Sequence, residues 1–140
     1  MLPDLIDAIS IKLNESFPGV PIYSESVLQS LTPPCFFIGV LNPSQQQQLG
    51  TRYFRRHPFD VHYFPAADNK AEMYTTADTL CAALEYVTLA NGDILRGSEV
   101  HWEIVDGVLH FFVNYDVFVR KEITPEENMG DITIDTDVKR

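Results

Sequence analysis

The stretch Glu99-Val-His-Trp-Glu-Ile-Val-Asp-Gly-Val-Leu-His-Phe-Phe-Val-Asn-Tyr-Asp-Val-Phe-Val119 decides the fold. Asp106-Gly107 is a two-residue type I′ turn signal, because Gly, Asn and Asp take positive φ more readily than other residues. A hairpin centred there sets Val105 opposite Val108, Ile104 opposite Leu109, Trp102 opposite Phe111 and Val100 opposite Val113. The last three pairs share one face and read as core. Glu99, His101, Glu103, His110, Asn114 and Asp116 take the other face. A one-residue slip would bury those polar groups, so the register is tightly specified. The hairpin is a scaffold with no evident catalytic device on it.

Working outward, residues 3–17 read as a helix. Pro3 suits its first position, Asp4 and Asp7 suit the positive end of its dipole, and Leu5, Ile6, Ile9, Leu13 and Phe17 form one stripe. Pro18-Gly19 ends it. Ile22 to Ser24 fits a short strand, and Pro33-Pro34 demands an extended entry into the next one. Cys35 to Leu41 is a run of strand formers whose two faces both need cover. Asn42-Pro43 breaks that strand, and Gln45, Gln46, Gln47 and Gln48 read as an exposed loop or extended hairpin tip. Residues 51–64 resume β character. Pro58 interrupts them, which makes the arginine-bearing first half an edge or bulged segment. Asn69 and Glu72 form a capping-box pair for a second helix, with Met73, Ala77, Leu80 and Leu84 as its stripe. Short β pieces flank the Asn91-Gly92 turn.

The element order is α-β-β-β-α-β-β. Both helix stripes and the Trp102 face are buried most simply by two helices on one face of a mainly antiparallel sheet, an α+β fold. Residues 1–120 form one domain and 121–140 an acidic extension. Within that extension Ile132, Ile134 and Val138 alternate with polar residues in a series that Thr136 breaks, which suits either a strand that adds to a sheet edge, as in a neighbouring subunit, or a frayed terminus.

The 140 residues carry a formal net charge of −10. Such a chain is a poor non-specific ligand for nucleic acid, because phosphates are neutralised by Lys and Arg. Arg52, Arg55 and Arg56 nevertheless form a basic island, while Glu122, Glu126, Glu127, Asp131, Asp135 and Asp137 make the end of the chain acidic. Unlike patches on one surface suit head-to-tail contacts between copies. No apolar run approaches a membrane span, and no signal peptide is visible at the N-terminus. Cys35 and Cys81 fall in apolar segments and read as reduced, buried thiols rather than a disulfide.

Motifs for chemistry are missing: there is no G-x-S-x-G, no phosphate-binding glycine loop, no H-E-x-x-H and no C-x-x-C. One constellation remains. The hairpin register sets Glu103 opposite His110 with His101 diagonal, within reach of a shared metal or proton. An ordinary cross-strand Glu–His pair is the preferred reading, since no third ligand or pocket accompanies it. His57 and His62 read as surface or interface residues. Arg52-Tyr53-Phe54-Arg55-Arg56 mixes cations and aromatics. Such a patch serves as a protein–protein hot spot or a single-strand nucleic-acid platform, and the net charge favours the first.

At three segments the sequence resembles the phage tail-terminator, or tail-completion, family of Gram-positive prophages and phage-tail-like bacteriocins. These are Leu41-Asn-Pro-Ser-Gln through Gly50 to Arg56, Pro58 to Phe64, and Glu103 to Tyr115. The resemblance implies a non-enzymatic structural protein without a cofactor, assembled in the host cytoplasm. It implies a homo-oligomeric ring, typically a hexamer, at the head-proximal end of the tail. The ring would meet the tail tube protein, the sheath protein in a contractile particle, and a head–tail connector where a head exists. The polarity of Gln45 to Gly50 and their place between two strands make them the candidate for reaching toward the tube or the lumen. Arg52, Tyr53, Phe54, Arg55 and Arg56, with Ile132 and Ile134, would serve subunit contacts. The rival readings are a small metal- or ligand-dependent enzyme on the Glu103/His110 face and a nucleic-acid-binding accessory protein using Arg52, Arg55 and Arg56.

Overall fold

The structure is a computed structural model that describes residues 1–25 and 31–121. Helix α1 spans Leu2–Ser16, with Pro3 in its first turn and Leu5, Ala8, Ile9 and Leu13 buried. Strands β1 (Ile22–Ser24), β2 (Cys35–Val40), β3 (Ser44–Gln47), β4 (Arg52–Arg56) and β5 (Pro58–Phe64) follow. Helix α2 spans Lys70–Ala83, and the Asn69 side chain accepts from the Glu72 N–H at 3.1 Å, as the capping pattern requires. Strands β6 (Tyr86–Thr88), β7 (Ile94–Arg96), β8 (Ser98–Val105), β9 (Val108–Asn114) and β10 (Val117–Arg120) complete the order.

The architecture is α+β. The principal sheet has the order β1-β2-β5-β9-β8, with only the β1–β2 pair parallel. Its inner face presents Phe36, Ile38, Phe59, Val61, Tyr63, Leu109, Phe111 and Val113 to the stripes of both helices, including Met73, Ala77 and Leu80 of α2. Burying side chains of this size stabilises by about 1.5–3 kcal/mol each, which is what docks two short helices. Tyr115 sits in the same core, and its hydroxyl donates to the Leu84 carbonyl at 2.6 Å. Burial holds that phenol well above its usual range.

A second sheet of order β10-β4-β3 grows from the first. Residues 52–64 and 108–120 make one antiparallel ribbon: Pro58 faces Asn114 in the principal sheet, and Arg55 faces Val117 in the second. The pairing continues through the corner without a slip. The Tyr115 N–H donates to the His57 carbonyl at 3.0 Å, and His57 Nδ1 lies 2.9 Å from the Tyr115 carbonyl. His57 is therefore buried, not a surface or interface residue. Pro58 heads β5 rather than breaking it, and β4 is the central strand of its sheet, not an edge. The glutamine tract forms β3, a strand exposed throughout, with Gln48 leading into the tip at Leu49-Gly50.

The Asp106-Gly107 hairpin forms in the expected register from His101↔Phe112 to Val105↔Val108. Beyond His101 it departs from expectation. A bulge between Ser98 and His101, with Glu99 at φ 52°, removes the Val100–Val113 pair. Leu109, Phe111 and Val113 are fully buried, whereas Val100 and Trp102 are 40% and 39% exposed. β8 is an edge strand, so its apolar face overhangs the core instead of completing it.

Gly97, beside that bulge, tests the packing. A Cβ there would lie 2.7 Å from Val113 Cγ2 and 3.0 Å from the Leu84 carbonyl. Gly97→Ala should cost about 1–3 kcal/mol, read as a lower urea midpoint at unchanged slope.

Candidate functional site

Among the described residues, two surfaces lie away from the helices. The first is the three-stranded sheet. No residue of β3, β4 or β10 is buried, so neither helix roofs it. Strand alternation divides the basic island between its faces. Arg52, Phe54 and Arg56 share one face with Gln46, Phe118 and Arg120; Tyr53 and Arg55 share the other with Gln45, Gln47 and Val119. The Phe54 and Phe118 rings pack at 4.9 Å, yet Phe118 is 69% exposed. Gln45 Oε1 accepts from Arg55 Nε at 2.6 Å, and Arg56 pairs with Glu99 at 2.9 Å. Open grooves of about 440 and 370 Å³ flank the Gln45–Arg55 pair. Sequence order alone shows the arginines as one patch; the pleat makes them two.

The second surface is the outer face of the principal sheet. One row crosses all five strands as Tyr23, Phe37, His62, His110 and Glu103. The next row holds Gly39, Asp60, Phe112 and His101. Rings lie against one another along these rows: Phe37 with His62 at 5.5 Å, His62 with His110 at 4.4 Å, and His101 with Phe112 at 4.6 Å. Glu103 does face His110, as the hairpin register requires. The closer partners of His110 come from β5, however, with its Nδ1 3.1 Å from Asp60 Oδ2. Sequence reasoning missed Asp60 and His62 as companions of His110. Their alternation on β5 was legible; the pairing of β5 with β9 was not.

Ile132 and Ile134, with the acidic extension, lie outside the described residues. Burial pushes both the Cys35 and Cys81 thiols up, and Asp78 adds to the effect at Cys81. Cys81 is only half-buried, and both cysteines are free. Among the described residues no helix is long and apolar enough to cross a membrane.

A family model described as a phage tail terminator protein matches residues 4–127. No curated protein matches the sequence significantly. Among solved structures, a chain from the virion of a native gene transfer agent particle shares the fold at TM-score 0.54 and 12% identity, over 86% of this chain and 97% of that one. Another solved chain aligns at TM-score 0.48 and 14% identity, over 88% of this chain and 94% of its own.

The Arg56–Glu99 pair is solvent-exposed, so it contributes little to the isolated fold. Arg56→Ala should shift unfolding stability by less than about 1 kcal/mol, measured by chemical denaturation. A larger loss would mean that the basic island serves the monomer and not a contact surface.

Proposed function

This chain belongs to the phage tail terminator family, and we propose that it works as a ring that caps the head-proximal end of a tail. Membership makes it a structural tail protein, a component of a virion or a related particle. The proposal adds stoichiometry, contacts and partners. The ring is homo-oligomeric, a hexamer by family resemblance. It ends growth of the tube, and of the sheath where the tail contracts. Its far side receives the head–tail connector where a head exists. Assembly takes place in the host cytoplasm, and the role is non-enzymatic with no cofactor required for it.

The observation that supports this most is the unroofed three-stranded sheet. Tyr53 and Phe54 are half-buried and Phe118 is exposed among arginines, aromatic surface that contact with another chain would cover. Arg and Tyr are enriched where proteins meet, and a closing ring needs unlike patches on each copy. In this reading Arg52, Tyr53, Phe54, Arg55 and Arg56 contact the next subunit, and Gln45 to Gln48 with the tip at Gly50 reach the tube. The outer edge of β8, with its exposed Val100 and Trp102, accepts a strand carrying Ile132 and Ile134 from a neighbour. The rival nucleic-acid reading loses support, because the pleat splits the arginines and the net charge is −10.

The test is tail length. The triple variant Arg52→Glu, Arg55→Glu, Arg56→Glu should keep the wild-type circular dichroism spectrum. Introduced into the parent particle, it should give tails of uncontrolled length, or headless tails, by electron microscopy. Tails of normal length and normal head attachment would contradict the proposal.

A further inference from the structure

Asp60, His62 and His110 form a cluster on the outer sheet face that the assembly reading does not use. His62 and His110 are direct cross-strand partners, and Asp60 lies two residues before His62 on the same face of β5. His62 Nε2 and His110 Nδ1 both point at one carboxylate oxygen, Asp60 Oδ2, at 3.3 and 3.1 Å. The three donor atoms all lie within 4.8 Å of one another. Asp60 is only 8% exposed, and its other oxygen, Oδ1, is buried with no hydrogen-bond partner among the described residues. A buried carboxylate left half-satisfied is costly unless a cation accompanies it.

We propose that Asp60, His62 and His110 bind one Zn²⁺ ion, which ties β5 to β9 on the outer face of the sheet. The spacing suits this. Tetrahedral zinc with bonds of roughly 2.0–2.2 Å separates its ligand atoms by roughly 3.3–3.5 Å. The two observed separations need to change by a few tenths of an ångström at most. Two imidazoles with one carboxylate favour zinc, cobalt or nickel over magnesium or calcium, which prefer all-oxygen sites. The His62 and His110 side chains are 20% and 21% exposed, so the fourth position opens to solvent. Water fills it, or Glu103, which sits opposite His110 on β8. The ion's role is to brace the sheet face, and this holds whether or not the ring proposal does.

Tag-free full-length protein titrated calorimetrically with Zn²⁺ alone should bind about one ion per chain. Asp60→Asn and His110→Ala should each weaken that binding at least about tenfold, while His101→Ala, on the same face but outside the trio, should leave it unchanged. Zinc in hundredfold excess over its dissociation constant should raise the wild-type Tm by about 5–10 °C. Should His110→Ala fail to fold, the wild type loaded with Co²⁺ decides, since a four-coordinate site gives strong visible absorption that aqueous Co²⁺ lacks. No uptake by the wild type, equal uptake by the variants, or an aqueous-like cobalt spectrum would each overturn the proposal.

Discussion

The structure depends on one antiparallel ribbon, residues 52–64 against 108–120, that keeps its register while turning a corner at His57 and Tyr115. On one side of the corner the ribbon is the centre of a helix-covered sheet. On the other it supplies two of the three strands of a sheet with no residue buried. Two side chain–backbone contacts hold the bend: His57 Nδ1 meets the Tyr115 carbonyl, and the His57 backbone N–H donates to Asp116 Oδ1 at 3.2 Å. Tyr115 then anchors the corner in the core through Leu84. The buried core lies between the principal sheet and its helices, and no residue of the three-stranded sheet is buried.

Much of this was legible in the sequence. The turn at Asp106-Gly107, the cap at Asn69 and the apolar stripes are local signals, and local signals translate directly into elements. The α+β class followed from them. What was not legible depended on which strands become neighbours. Trp102 reads as core from its hairpin partner Phe111, but burial needs a further layer above it, and β8 lies at the edge. His57 reads as surface because it precedes Pro58; its burial depends on Tyr115, fifty-eight residues away.

The same limit applied to the surfaces. Arg52, Arg55 and Arg56 were visible as a basic island, but not as residues on opposite faces of a strand that is itself unroofed. The turn at Asp106-Gly107 is enough to set Glu103 opposite His110, and the structure has them so. The companions that bring His110 nearest to chemistry, Asp60 and His62, belong to a strand whose pairing no short-range motif specifies. Pairing of distant strands is a long-range choice, set by total burial, and a single sequence does not display it.

The chain belongs to the phage tail terminator family, and the proposed role at the end of a tube rests on the unroofed three-stranded sheet. The proposed role separates this chain from a tube subunit by where it would bind, at the tube's end and not along it. The most direct measurement is the number of copies bound per tube, by cryo-electron microscopy of assembled tubes mixed with this chain. A single closed ring at one end of each tube, of constant copy number whatever the tube's length, is the predicted result. Copies distributed along the tube, or a copy number that grows with its length, would contradict the account.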